Sequence, residues 1–271
     1  LMIRRPPRST QSRSSAASDV YKRQTDRGTR LSGGLTLSGP IEWTEVNPGM
    51  VVMGSENRSI LFGGIGPRHE VSIGYSFKIS KTPVPSSEAL KIVQSSLADV
   101  ASESEWELAN SRGLLSAEIG CIEELEDRHH DYWGKACDGR PHYGGNGGLQ
   151  NLRHWTKSGP VLIQRPPLSE AEKPESVRLV IRENPDWSDD PLTIPIRKDN
   201  QRIITEEVLI SLFLGVIPSF IWANYNASDG YLREGWLNLI LGGIFFGLFT
   251  SLFWRPKQPT WYINSGRMTK K

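Results

Sequence analysis

The sequence contains few cysteines, and this scarcity excludes two kinds of protein. Only Cys121 and Cys137 occur in the 271 residues. Two cysteines cannot build the multiple-disulfide framework of a small secreted domain, and they cannot supply a four-cysteine zinc site. The composition therefore favours a reducing, cytosolic setting, with a single disulfide between the two cysteines as the remaining alternative.

The sequence also lacks a large excess of charge of either sign. Lysine and arginine number 32 against 30 aspartates and glutamates, so the formal net charge is +2 at pH 7. Basic and acidic residues are interleaved through the central region, whereas nucleic-acid-binding proteins gather basic side chains into a stripe or patch. We therefore expect no nucleic-acid partner.

The first 24 residues contain no apolar stretch, so we expect no secretory signal within them, because such a signal needs about 7–15 consecutive apolar residues. The serine- and arginine-rich string of residues 1–24 resembles the translation of a sequencing adapter, and the alternative is a disordered basic tail. In the first case we expect the natural N-terminus to be missing. The Gly-, Ser- and Thr-rich stretch of residues 25–40 is predicted to be a linker.

Residues 41–182 have the length and patterning of one soluble α+β domain. An apolar run at Met50–Gly54 predicts a short buried strand, and the alternation in Glu70–Ile79 predicts a longer strand with one buried face. A serine after the prolines that end this strand is expected to cap a helix whose apolar stripe continues to Val100. A last short strand is predicted within Glu175–Arg182.

A second helix is predicted to begin at Ser102. Glu105 stands three residues later, which is the spacing of a capping box. Trp106 follows it and is expected to anchor the helix in the core. Glu103 and Glu107 have no partner base or nucleophile in the sequence, so we expect the glutamates of this helix to serve as caps and surface residues.

The region from Gly120 to Asn151 is rich in Gly, His, Asp, Tyr and Trp without a clear period, which indicates a long loop. Its metal-capable side chains are the candidate ligands Asp127, His129, His130 and His142, with Asp131 and Cys137 nearby. A metal site would need three or four such ligands to converge. Adjacent histidines usually point apart, so a solvated polar loop is the alternative. P-loop, GxGxxG and GxSxG signatures are missing from the sequence.

Two nearly charge-free segments predict a pair of membrane-spanning helices, at Val208–Ala223 and Trp236–Trp254. Residues 183–207 would form a linker before this hairpin of residues 208–254, and residues 255–271 would form a tail. The tryptophans near the helix ends suit the membrane–water interface. The lipid bilayer is therefore the predicted partner, and a pair of buried helices in a soluble core is the alternative.

Basic residues flank the two segments, whereas the loop between them contains a single one, Arg233. Because short cytoplasmic loops carry the excess of lysine and arginine, we expect a multi-pass membrane protein whose soluble domain and C-terminus are cytoplasmic. Gly243 and Gly247 form a GxxxG motif that could bring the two helices together, or they are the small residues of an ordinary membrane helix.

Several blocks of the soluble part resemble, in order, the sulfatase-modifying factor domain of the formylglycine-generating-enzyme family. The most specific block is Ser102–Ala109, which reads SESEWELA and is similar to the family helix that carries E-A-E-W-E. The other blocks are Met53–Ser55, Pro67–Val84, Gly120–Gly134 and Ser176–Val180. Together they cover about residues 41–182, which is less than a full family domain.

The resemblance implies a loop-rich, C-type-lectin-like α+β fold, and it also bears on chemistry. The family's oxidases bind copper through a pair of cysteines late in the domain, which suits cuprous ion because thiolates are soft ligands. Residues 153–175 contain no cysteine here, and Cys121 stands where the family pattern has an asparagine that helps to bind calcium. The resemblance thus suggests calcium or copper as cofactor, but formylglycine-generating oxidase activity is not expected.

The sequence leaves three hypotheses for the function. We favour a membrane-anchored, non-catalytic binding or scaffold module for an unidentified protein or peptide ligand. The second is a metal-dependent oxidative enzyme of the same superfamily that acts on a peptide or small thiol through the cluster at Asp127–His142. The third is a membrane protein whose hairpin is the functional element and whose soluble domain regulates it.

Overall fold

The computed structural model describes residues 40–144, 148–166, 176–185, 187–196, 200–228 and 230–271. Helices and several sheets are mixed within these residues, so the α+β class predicted from the sequence is confirmed. The predicted tail of residues 1–24 lies outside the described residues, as does the predicted linker up to residue 39.

The strands of the described residues form three sheets. The strands are β1 (Trp43–Val46), β2 (Gly49–Met53), β3 (His69–Ile73), β4 (Phe77–Ser80), β5 (Val84–Pro85), β6 (Asp99–Val100), β7 (Ile122–Arg128), β8 (Gln150–Thr156), β9 (Gly159–Arg165), β10 (Ser176–Val177), β11 (Leu179–Arg182), β12 (Trp261–Asn264) and β13 (Arg267–Lys270). Their orders are β1-β4-β11-β6, β5-β10-β7-β8-β9 and β13-β12-β3-β2. Neighbours run antiparallel, except that β10 is parallel to β7 and β12 is parallel to β3.

The helices fall into two groups, one in the domain and one after it. They are α1 (Ser86–Gln94), α2 (Glu103–Ser111), α3 (Asn200–Ile210), α4 (Ile217–Asn226), α5 (Tyr231–Glu234) and α6 (Trp236–Phe249). A π-helix at Ser211–Val216 joins α3 to α4, and a 3-10 turn at Thr250–Leu252 follows α6.

The single strand predicted for Glu70–Ile79 is wrong, because the chain forms β3 and β4 there, and these belong to different sheets. Residues 74–76 make the bend between them. Tyr75 in this bend is buried like the inward residues on either side of it. The alternation of apolar residues therefore runs on through the bend, and a period of two in the sequence does not reveal the break.

The two helices of the domain begin in different ways. The hydroxyl of Ser102 accepts the backbone N–H of Glu105 at 3.2 Å, and the carboxylate of Glu105 accepts the backbone N–H of Ser102 at 2.8 Å. This reciprocal pair is the predicted capping box of α2. The predicted first helix is present as α1 with Ala89 and Ile92 buried, but its predicted serine cap and its extension to Val100 are wrong, since α1 follows Pro85 without a side-chain cap and ends at Gln94.

The main core packs around Trp106, which is fully buried. Its Nε1 donates a hydrogen bond to Oε1 of Glu123 at 2.9 Å, so the polar edge of the indole is satisfied inside the protein. The prediction that Trp106 is a core anchor is confirmed. The expected surface position of Glu103 is wrong, because its side chain is fully buried.

The region expected to be mostly loop, Gly120–Asn151, contains strand β7. Glu123, Leu125 and Asp127 are its fully buried residues, and they alternate with more exposed neighbours. Two of these three inward residues are acidic, so the strand has no alternation of apolar and polar residues. A search for hydrophobic period therefore misses it.

The helices after the domain pack antiparallel against each other. The helical segment Gln201–Asn226 has 26 residues and contains an 18-residue window with a mean hydropathy of 1.8, which makes it long and apolar enough to cross a membrane. It is the one such helix among the described residues, because the apolar segment Trp236–Leu252 is shorter. Gly215 of the first segment lies against Gly243 of the second, and Gly247 lies against Ser211.

The segments on both sides of this helical pair are tied to the domain. Residues 255–271, predicted as a tail, include β12 and β13, and Trp261 of β12 pairs with His69 of β3. Residues 183–207, predicted as a linker, include the fully buried Ile194, whose N–H donates to the carbonyl of Lys135 at 3.0 Å. The chain therefore leaves the domain and returns to it.

Candidate functional site

A network of buried polar side chains joins the first turn of α2 to β7 and β8. Glu103 is at its centre, because the capping box sets this residue at the start of α2 with a fully buried side chain. Its carboxylate accepts hydrogen bonds from Oη of Tyr132 at 2.6 Å, Nη2 of Arg153 at 2.9 Å and Nδ2 of Asn151 at 3.0 Å. Such donors replace the water that an ionised carboxylate loses on burial.

Asp127 is the second acid of this network and is also fully buried. Its Oδ2 accepts the backbone N–H of Glu103 at 2.6 Å. Its Oδ1 accepts bonds from Nζ of Lys135 at 3.2 Å and from the backbone N–H of His142 at 2.9 Å. Each buried acid thus has one buried basic partner, Arg153 for Glu103 and Lys135 for Asp127.

The structure brings together two of the four predicted metal ligands and adds one that was not predicted. One potential ligand atom from each of Glu103, Asp127 and His129 lies within 4.8 Å of the other two. The ring of His142 packs on that of His129 with centroids 5.1 Å apart, but it is not a member of this group. His130 is exposed and lies outside it.

Burial and neighbouring charges set the ionisation of these groups. Burial opposes ionisation of Glu103, but its contact with His129 and the charge of Arg153 outweigh burial and lower its pKa to about 2. Burial lowers the pKa of His142 to about 3 and that of His69 to about 4. At neutral pH the network therefore combines an ionised glutamate with neutral histidines at positions 69 and 142.

Three buried imidazole nitrogens have no hydrogen-bond partner among the described residues. They are Nε2 of His69, Nδ1 of His129 and Nε2 of His142. The rings of His69 and His129 each lie 4.7 Å, centroid to centroid, from the ring of Tyr132. A buried polar atom without a partner destabilises a fold by about 1–3 kcal/mol.

The donors around these acids do not suit a calcium ion. Calcium needs six to eight oxygen ligands, whereas the oxygens of Glu103 and Asp127 already accept the bonds described above. An ion placed between the two acids would also lie beside the positive charges of Arg153 and Lys135, and like charges repel strongly in a buried site. Arg153 and Lys135 thus already neutralise the two acids that a metal ion would need as ligands.

The two cysteines do not suit copper either, because they are separate free thiols. Sγ of Cys121 lies 3.4 Å from the hydroxyl of Ser176, whereas Sγ of Cys137 lies 3.8 Å from the carbonyl of Lys135. Burial raises the pKa of the Cys137 thiol to about 12, so it stays protonated at neutral pH. Cuprous ion needs thiolates presented together.

Sequence reasoning missed the central residues of this network, which are Glu103, Lys135, Asn151 and Arg153. They come from α2, the loop after β7 and strand β8, so no local spacing connects them. Glu103, Lys135 and Asn151 are fully buried and Arg153 is 5% exposed, so the described side chains around the acids cover them. The network therefore serves to hold α2 against β7 and β8.

An open cleft of about 770 Å³ lies beside Tyr75 and Trp187, within the size range of ligand pockets. The two rings meet edge to face with centroids 6.3 Å apart. The hydroxyl of Tyr75 donates to Oε1 of Glu105 at 2.7 Å, and the guanidinium of Arg182 lies 5.4 Å from the centroid of the Trp187 ring. Glu105 and Arg182 thus hold the two aromatic rings of the cleft in place.

The charged residues that line this cleft are acidic. They are Asp138, Glu183 and Asp190, and among the described lining residues there is no lysine or arginine. Cys137 also lines the cleft. Two of these acids already have basic partners, since Asp138 pairs with Arg140 and Glu183 pairs with Lys78 at 3.6 Å. The aromatic rings are therefore the main binding feature of the cleft.

Comparisons with protein-family models, with curated proteins and with solved structures find no match to this chain. The described geometry therefore defines an α+β protein with a closed ionic network, an acidic surface cleft and an apolar helical pair.

Proposed function

We propose that the chain is a membrane-anchored binding module. The helical pair of Gln201–Asn226 and Trp236–Leu252 lies in the bilayer, and the α+β domain on one side of it presents the cleft at Tyr75 and Trp187 to a protein or peptide. The observation that carries the proposal is the outward face of the helical pair, which is apolar and unburied.

The first helical segment would be mostly buried if it were the core helix of a soluble protein. Only 11% of its most apolar window is buried. Its exposed side chains include Phe213 at 59% and Trp222 at 64%, and on α6 Phe245 is 71% exposed. Such a continuous apolar surface is unstable in water and stable in lipid.

The inner face of the pair supports the same proposal, because it is built from small residues. Gly215 and Gly243 meet backbone to backbone, and the hydroxyl of Ser219 donates to the carbonyl of Leu239 at 3.0 Å. Close backbone contact between small residues and interhelical hydrogen bonds are the interactions that join helices in a membrane.

The second helical segment is slightly short for a membrane span. Trp236–Leu252 has 17 residues, which gives about 26 Å at 1.5 Å per residue, against a hydrocarbon core of about 30 Å. Trp236 and Trp254, exposed by 51% and 53%, stand at the two ends and suit the interfaces. Local thinning of the bilayer can absorb such a small mismatch.

A loop of the domain reaches the same level as the end of the second helix. The N–H groups of Ile60 and Leu61 donate to the carbonyls of Ser251 and Leu252, both at 2.9 Å. Ile60, Leu61 and Phe62 are exposed by 67%, 57% and 67%. Three exposed apolar residues beside a helix end favour contact with the bilayer interface.

The ligand is expected to be a protein or peptide segment that packs against the two aromatic rings, because Asp138 and Glu183 in the same cleft already have basic partners. The resemblance of Ser102–Ala109 to the sulfatase-modifying factor helix supports a C-type-lectin-like domain for this role. The separated cysteines argue against the oxidase activity of that family, which favours binding over catalysis.

Fractionation of cells that express the full chain tests the anchor. The chain should stay with membranes after an alkaline carbonate wash. Phe213→Asp with Phe245→Asp should weaken insertion, because an aspartate near a helix centre costs about 2.5–3.5 kcal/mol in the bilayer. Ile196→Asp is the matched control, since Ile196 is an exposed residue (83%) of the domain. Release of the parent chain by carbonate would contradict the proposal.

A further inference from the structure

A basic cleft of about 200 Å³ lies where the first helical segment meets the domain. Four basic residues line it, and they come from four parts of the chain: Arg58, Arg202, Lys257 and Lys270. Glu206 is the one acid among the described lining residues, and it pairs with Arg58 at 2.6 Å and with Arg202 at 3.0 Å. Lys257 pairs with Glu56 at 2.7 Å.

The charges of this cleft do not balance. Arg58 and Arg202 both contact Glu206, and Lys257 pairs with Glu56, whereas Lys270 makes no ion pair among the described residues. Positive charge is therefore in excess among the described residues of this cleft. The indoles of Trp133 and Trp261 form an apolar wall of the same cleft, and Nε1 of Trp261 has no hydrogen-bond partner among the described residues. An anion with polar oxygens and an attached apolar part would complement both features.

An apolar groove of about 450 Å³ begins beside this cleft and runs along the helical pair. Ile203 lines both cavities, so they adjoin each other. Val208, Val216, Ile244 and Leu248 are among the residues that line the groove. From Val208 to Val216 the helix rises about 12 Å at 1.5 Å per residue, so the groove extends well into the apolar layer of the proposed anchor.

We infer that the protein binds an anionic phospholipid at the domain-side base of the helical pair, with its phosphate-bearing headgroup in the basic cleft and an acyl chain in the adjoining groove. The inference rests on the proposed membrane anchor and adds a specific lipid to it. The order of the two cavities matches the order of a phospholipid, since the charged cleft lies at the level of the domain and the apolar groove lies deeper. Basic cleft residues beside membrane helices recognise anionic headgroups through their phosphate oxygens.

The test uses the full chain, purified in detergent, stripped of lipid and titrated with phosphatidylglycerol while bound lipid is counted by native mass spectrometry. A single phosphatidylglycerol should bind per chain, about tenfold more tightly than phosphatidylcholine with the same acyl chains. Arg202→Gln with Lys270→Gln should weaken phosphatidylglycerol about tenfold, which corresponds to about 1.4 kcal/mol. The matched control is Lys91→Gln with Lys157→Gln, which removes two exposed charges elsewhere on the domain and should change nothing.

Two further measurements distinguish a phospholipid site from a site for free anions. Inorganic phosphate in excess should not displace the lipid, because it cannot occupy the groove, and full displacement would mean that the cleft is a site for free anions. Leu248→Trp should narrow the groove and weaken the lipid while leaving the headgroup cleft intact. Equal binding of both phospholipids, or an unchanged affinity in the cleft variant, would overturn the inference.

The same preparation distinguishes failure of this inference from failure of the anchor. If the parent chain withstands carbonate extraction but binds both phospholipids equally, the anchor stands and the lipid site is rejected. If carbonate releases the chain, both are rejected.

Discussion

Gly215 and Gly243 lie so close together in the helical pair that a Cβ atom on either one would overlap the backbone of the other segment. Gly242, one residue away, would meet nothing within 4 Å. The contact lies within the π-helix of Ser211–Val216, where the wider turn brings the first helical segment against the second. Gly243 thus makes the contact between the two helical segments, whereas the neighbouring Gly242 makes none.

Substitution of these glycines should change stability in opposite directions. Gly243→Ala should destabilise the helical pair by about 1–3 kcal/mol, because the added methyl group forces the helices apart. Gly242→Ala should leave the chain as stable or stabilise it by about 0.5–1 kcal/mol, because alanine loses less conformational entropy in a helix. Thermal unfolding in detergent measures both. Equal melting temperatures for the two variants would mean that the helices do not meet at Gly243.

Glu103→Gln should destabilise the domain strongly. The substitution removes the negative charge that pairs with the buried Arg153, and it turns an amide N–H toward groups that are themselves donors. Removal of one partner from a buried ion pair costs about 3–5 kcal/mol, which is a large part of the 5–15 kcal/mol that stabilises an ordinary domain. Chemical denaturation should show the loss, and Glu118→Gln, at an exposed loop position, should not. A parent-like Glu103→Gln variant would mean that the network is not closed around this residue.

The sequence predicted the parts of the fold that depend on local spacing. The capping box at Ser102, the burial of Trp106 and the two apolar segments each follow from residues within one or two turns of one another. The ionic network could not be predicted in this way, because Glu103, Lys135 and Arg153 meet only after α2, β7 and β8 have packed. The metal-capable side chains in the sequence include Asp127 and His129, but lysine and arginine are not metal ligands, so the predicted cluster omitted the basic residues that neutralise it.

The domain should lose stability as the pH falls below about 6.5. Burial lowers the pKa of His69 to about 4 from the ordinary value of 6.5, so between these values the unfolded chain binds a proton that the folded chain does not. This contribution to stability is fully present above pH 6.5 and declines as the pH falls toward 4, by at most about 3.5 kcal/mol at about 1.36 kcal/mol per pH unit. His142 acts in the same direction over a wider range.

Replacement of His69 should reveal its share of this pH dependence. His69→Gln should flatten the change in unfolding free energy between pH 6.5 and 4.5, whatever its effect at pH 7, because glutamine does not titrate. His130→Gln is the control, since His130 is exposed and its replacement should leave the slope unchanged. Identical slopes for the parent and His69→Gln would show that His69 is accessible to protons in the folded state.

The loop between the helices and the C-terminal hairpin should lie on opposite sides of the membrane. β12 pairs with β3, so the C-terminal segment must stay on the side of the domain, and the basic residues that flank the helices predict that this side faces the cytoplasm. Ser228 lies in the loop beyond the first helix, Ser265 lies in the turn between β12 and β13, and both are exposed.

In a chain with Cys121→Ser, an impermeant maleimide applied to intact cells should label Ser228→Cys and not Ser265→Cys, while both should react after the membrane is disrupted. Cys137 is buried and provides little background. Labelling of Ser265→Cys alone would reverse the orientation, and equal labelling of both positions in intact cells would contradict the membrane-spanning pair itself.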